Sequence, residues 1–165
     1  MQITRATDYA VRVMIHLAGL PAGSNVRQSD LAAATGVSGH FLSKVLQHLV
    51  RTGLIRSQRG LGGGYVLAQP GEKISLLTIV AAMEGSVRLN QCLEEGPSCE
   101  RKGCCPAHDV WIEAQLALEK VLGGVTVAEL AQRVVAGGPP YARHAAPFGV
   151  CSTKQEKVEP QSQGE

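Results

Sequence analysis

Apolar residues return at three- and four-residue steps near the start of the chain: Ala6, Tyr9, Ala10, Val13, Leu17 and Leu20. That period puts them on one face of a helix. Thr4 or Thr7 is placed to cap its start, and Pro21 to Ser24 break the pattern. A shorter helix is predicted over SDLAAATG, with Ser29 as its N-cap and Gly36 at its close. After the turn GVS, Ser38 caps a third helix, GHFLSKVLQHLVRTG, whose Phe41, Leu42, Val45, Leu46, Leu49 and Val50 form an apolar face and which Gly53 terminates. Two short helices around a glycine-containing turn make a helix-turn-helix, whose second helix enters the DNA major groove. The other face of that second helix carries Ser38, His40, Ser43, Lys44, Gln47 and His48, hydrogen-bonding groups suited to base edges and phosphates. In LIRSQRGLGGGYVLAQP the pattern changes to strand, glycine-rich tip and strand. This is a wing, and Arg56 and Arg59 stand where it would reach phosphate or a minor groove. GLGGGY lacks the lysine ending of a phosphate loop and opens no helix, so it punctuates a hairpin.

The later elements are again helical. ISLLTIVAAMEG reads as a connector packed on the winged unit, and TVAELAQRVV, capped by Thr126, as a last short helix. Between them, a helix from Ala107 to Leu122 carries Val110, Trp111, Ala114, Leu118 and Val121 in a stripe suited to pairing with a second copy. The expected fold is mainly α: a winged helix-turn-helix domain with a two-stranded wing over 1–75, then connector, cysteine-bearing loop and dimerisation helix over 76–135. Residues 136–165 have the composition of a disordered tail.

Charge sharpens the picture. Residues 1–75 hold eight Lys and Arg against three Asp and Glu, whereas 76–165 hold eight against eleven. No acid lies between Asp30 and Glu72, a span suited to double-stranded DNA. No apolar run is long enough to cross a bilayer, and MQITRATDYAV lacks the apolar core of an export signal, so a cytoplasmic address without membrane contact is expected. No nucleophile with an adjacent base and no paired carboxylates suggest an enzyme.

In a reducing compartment, clustered cysteines point to metal binding or redox chemistry. QCLEEGPSCERKGCCPAHDVW spaces Cys92, Cys99 and Cys105 by six and five intervening residues and places His108 three beyond. Thiolates so spaced can wrap an iron-sulfur core. Zinc and a thiol switch remain open on spacing alone, although the paired C-x2-C of zinc knuckles is absent.

Together, TDYAVRVMIHLA, LQHLVRTGLI, the wing SQRGLGGGYVLA and the cysteines before CPAHDVW resemble the bacterial iron-sulfur winged-helix regulators of the IscR, NsrR and RirA type, over roughly residues 1 to 133. The resemblance implies a homodimeric transcription regulator, commonly a repressor. Its operator affinity would be set by a cluster that senses nitric oxide, redox state or iron. It favours Cys105 over its neighbour Cys104 as third ligand and leaves Cys151 a bystander. For the fourth ligand it offers His108 or Asp8 from the partner subunit. Asp8 is preferred, with a 4Fe-4S cluster ahead of 2Fe-2S, because a carboxylate crossing the dimer would couple the cluster to DNA-reading geometry. The simpler roles are a helix-start His108 and an Asp8–Arg12 ion pair. The competing readings are a cluster-free winged-helix regulator using zinc or thiol oxidation at the same cysteines, and an electron carrier, for which a basic acid-free half has no use.

Overall fold

The computed structural model describes residues 3–60, 62–94, 99–101 and 103–135. The proposed tail at 136–165, with Cys151, lies outside the described residues. Six helices and one hairpin follow in order: α1 (Arg5–Ala18), α2 (Gln28–Thr35), α3 (Gly39–Arg51), β1 (Ile55–Gln58), β2 (Gly64–Leu67), α4 (Leu76–Glu84), α5 (His108–Gly123) and α6 (Val127–Val135). Short 3-10 turns lie at Gly71–Lys73 and Gln91–Leu93. No helix among the described residues is long and apolar enough to cross a membrane.

Local signals set most of the boundaries. Thr4 caps α1 by accepting from the Thr7 amide at 3.4 Å. The start of α2 differs from the expectation: Arg27 takes the N-cap place, and Ser29 sits inside the first turn with its hydroxyl donating to Asp30 Oδ1 at 3.2 Å. Gly36 ends α2 at φ 69°, a left-handed conformation that glycine adopts without a Cβ penalty. Ser75 caps α4. Thr126 and Glu129 form a reciprocal capping box for α6, at 3.2 Å and 2.9 Å.

The three winged-unit helices converge on Val13, Met14, Leu31, Leu42, Leu46 and Leu49, all buried, with Ile55 from β1. Each such side chain contributes about 1.5–3 kcal/mol on leaving water. Ile79 of α4 and Val127 of α6 join the same core, so residues on both sides of position 75 build it. Strands β1 and β2 pair antiparallel from Ile55–Leu67 to Gln58–Gly64. The wing is also braced from behind. Val26 and Tyr65 exchange backbone hydrogen bonds at 3.0 and 2.9 Å, joining the approach to α2 to strand β2.

Downstream, the chain leaves and returns at one point. Ser75 bridges Thr126, with Leu76 N donating to Val125 O and Val127 N to Ile74 O, both at 2.9 Å. From there α6 packs back on α1, while α5 packs on α4.

Candidate nucleic-acid interface and cysteine loop

On α3, Ser38, His40, Lys44 and Gln47 are exposed, and the wing exposes Arg56 and Arg59. Gln28 of α2 braces the start of this helix, donating from Nε2 to Ser43 Oγ at 2.7 Å and to Gly39 O at 3.2 Å. Ser43 is consequently half-buried and also donates to Gly39 O. Arg56 borders an open groove of about 360 Å³ between the end of α1 and the wing, lined also by Pro21 and Glu72. Gly60 and Gly62 take φ values of 106° and 90° at the hairpin tip. A Cβ on Gly64 would meet Val26 O at 2.4 Å, so the brace behind the wing requires glycine.

Two α3 residues depart from the face that spacing assigns them. His48 is half-buried and turns to α4: its Nε2 donates to Ala82 O at 2.7 Å while its Nδ1 accepts from Arg51 at 2.8 Å. Both ring nitrogens are committed, which removes His48 from the set of free groups on the face expected to meet DNA. Phe41, expected in the core, is 56% exposed. Its ring meets Tyr9 and His40 edge-on, each with centroids 6.3 Å apart.

Helix α4 ends against the other elements. Glu84 accepts from Thr4 N at 2.9 Å, from Thr4 Oγ1 at 2.8 Å and from Thr7 Oγ1, tying α4 to the first turn of α1. The Thr7 hydroxyl, then the Thr4 amide, hold the Glu84 carboxyl below its ordinary pKa. Gly85 follows at φ 82°, and the cysteine loop begins.

Gln115 of α5 fastens the loop's entry. Buried to 6% exposure, it donates to Val87 O at 2.7 Å and accepts from Leu89 N at 3.0 Å. Arg88 pairs with Glu119 at 3.4 Å. Neither Gln115 nor Gln28 stands out in the sequence, because a glutamine among polar helix positions carries no signal until its backbone partners are known.

Cys92 is buried, Cys99 and Cys105 half-buried and Cys104 exposed, all as free thiols. Among the described residues no three His, Cys, Asp or Glu side chains converge as a metal site. The donor chemistry nevertheless suits iron: three part- or fully buried thiols, and His108 Nδ1 buried without any hydrogen-bond partner. An orphaned buried nitrogen is costly, and ligation would satisfy it. His108 opens α5, its amide donating to Cys105 O at 3.1 Å. Asp8 instead pairs with Arg12 at 2.7 Å, and that guanidinium lies 5.8 Å from the Tyr9 ring centroid.

Comparison with known proteins adds independent ground. The family profile described as "Rrf2: Iron-dependent Transcriptional regulator" matches residues 3–133. A putative HTH-type transcriptional regulator of Haemophilus influenzae is 32% identical over 133 residues, covering 81% of this chain and 88% of the relative. The HTH-type transcriptional regulator IscR of Vibrio vulnificus is 32% identical over 130 residues, covering 79% and 77%. Among solved structures, CymR, the global cysteine regulator of B. subtilis, superposes with a TM-score of 0.66 at 27% identity, covering 80% of this chain and 97% of that one.

Proposed function

This chain belongs to the Rrf2 family of transcription regulators and is not an enzyme, and from that premise we propose that it is a homodimeric repressor whose operator affinity follows the state of an iron-sulfur cluster. Ser38, His40, Ser43, Lys44 and Gln47 on α3, with Arg56 and Arg59 on the wing, are the proposed contacts to double-stranded DNA. Cys92, Cys99 and Cys105 are the proposed thiolate ligands, with Cys104 the substitute for Cys105. The fourth position is assigned to His108 of the same chain, because its Nδ1 is buried and unsatisfied while Asp8 already has Arg12 as partner. Nitrogen ligation suits a 2Fe-2S or a 4Fe-4S cluster. When bound, the cluster supplies an iron centre that reacts with nitric oxide, oxygen species or chelation.

The observation that carries regulation is the position of α4. Its last turn holds recognition helix α3 through His48–Ala82 and α1 through Glu84, and the cysteine loop starts at the next residue. A displacement of the loop's first residues acts on both ties. Only one separation of two recognition helices fits two half-sites, so a small rotation of α3 alters affinity.

Anaerobic purification tests the reading. The wild-type protein should absorb in the visible range with iron and sulfide bound. Cys92→Ala, Cys99→Ala, Cys105→Ala and His108→Ala should each fold but lose or alter that absorbance, whereas Cys151→Ala keeps it. If Asp8→Ala rather than His108→Ala destabilises the chromophore, the fourth ligand comes from the partner's α1. A colourless protein carrying zinc, or one whose DNA affinity changes with thiol oxidation alone, replaces the cluster by the cluster-free reading. Arg59→Ala should lower the salt slope of operator binding by about one unit for each phosphate that the arginine neutralises.

A further inference from the structure

Three of α3's thirteen residues carry aromatic or imidazole rings, and each ring has a different setting. His48 is held by α4; His40 is exposed; Phe41 is exposed although the core takes its neighbours Leu42, Val45, Leu46 and Leu49. An exposed phenyl ring stands out on a surface otherwise made of Ser38, His40, Lys44 and Gln47. It is also flanked by two rings: the Tyr9 ring meets it at 74° and the His40 ring at 84°, arrangements favoured by aromatic quadrupoles.

Phe41 is the third residue of α3, and the N-terminal residues of a recognition helix are the ones that meet base edges. In the major groove the apolar group a phenyl ring can recognise is the C5 methyl of thymine; the other base-edge groups are donors and acceptors. His40 and Lys44 beside it, in a span without a single acid, favour DNA as the occupant over an acidic or neutral protein surface.

We propose that Phe41 is a specificity-determining residue that reads the methyl group of one thymine in each half-site. The assignment rests on α3 being the DNA-reading helix. Burying a methyl-sized group is worth about fourfold in affinity.

The purified full-length protein first selects duplexes from a random pool, and each thymine of one half-site in the consensus is then replaced singly by deoxyuridine, which removes only the methyl. One position should bind about fourfold more weakly. For Phe41→Ala the thymine-to-uracil ratio at that position should fall to about one, and Phe41→Leu, which keeps an apolar side chain there, should hold it above one. A pool without sequence preference would overturn the DNA-reading role of α3 as a whole, and this assignment with it. A sequence-specific pool in which no methyl matters, or in which Phe41→Ala keeps the wild-type ratio, overturns the Phe41 assignment alone. So does a Phe41→Ala variant that changes self-association while leaving the ratio intact, which would place the ring in a subunit contact.

Discussion

Single atoms decide where the wing stands. Gly64 lies against the Val26 backbone, and a Cβ there would also meet Asn25 Oδ1 at 2.7 Å. Replacing Gly64 with Ala should therefore lower stability by about 1–3 kcal/mol in urea unfolding. Gly39→Ala is the contrast: nothing lies within 4 Å of its Cβ, and within a helix alanine should gain about 0.4–1 kcal/mol. An equal effect at both glycines would mean that close approach plays no part. The misplaced rings of Phe41 and His48 share a cause at this scale. Both project near the border between the apolar stripe of α3 and its polar face, where periodicity favours neither side and the neighbouring element decides. Tyr9 left Phe41 in solvent, and the Ala82 carbonyl drew His48 in.

The elements themselves were largely legible. Helices α1 and α6 begin at capping residues that the sequence names, Ser38 takes the N-cap place of α3 without a side-chain capping bond, and the glycines of the wing mark a hairpin. Ser29 misled because Ser, Thr and Asp also occupy first turns, so the cap of α2 slipped to Arg27. What elements do to one another was less legible, since a bond such as Glu84 to Thr4 and Thr7 joins residues about eighty positions apart. That bond makes a pH prediction. The folded protein holds the Glu84 carboxyl below its ordinary pKa, so the unfolded chain takes up the proton first. The stabilisation is complete above the ordinary carboxylate value and disappears as pH falls through the lower folded value. Because the carboxylate stands at the surface and is screened by solvent, Glu84→Gln should cost only about 0.5 kcal/mol at neutral pH, and the gap to wild type should close on acidification. A gap that stays constant down to strongly acidic pH would show that the charge contributes nothing.

For the whole molecule, α5 is the exposed apolar element. Val110 is 62%, Leu116 59% and Val121 66% exposed, with Trp111 and Ile112 beside them. Val110, Trp111 and Val121 lie on the stripe that spacing predicts, whose Ala114 and Leu118 are half-buried, while Ile112 and Leu116 fall on another side of the helix. Exposed apolar surface of this extent on a DNA-reading protein fits a self-complementary interface. Leu116→Glu combined with Val121→Glu should shift sedimentation from dimer to monomer and weaken binding to a two-half-site operator far more than to one half-site. An unshifted dimer would move the interface off α5. The cysteine loop was legible as donor chemistry but not as an assembled site, because ligand spacing records which atoms are available and says nothing of which nitrogen folding leaves unsatisfied. The bridge between Ser75 and Thr126 has a separate consequence, for descent. Everything from 76 to 125 departs and rejoins the reader at adjacent backbone positions. Doubling a flexible loop between two packed helices costs only about 0.6 kcal/mol in closure entropy. With Ile79 of α4 kept in the shared core, a lineage can thus vary the part of this segment beyond α4 in length and chemistry, refitting one inherited DNA reader to a new stimulus.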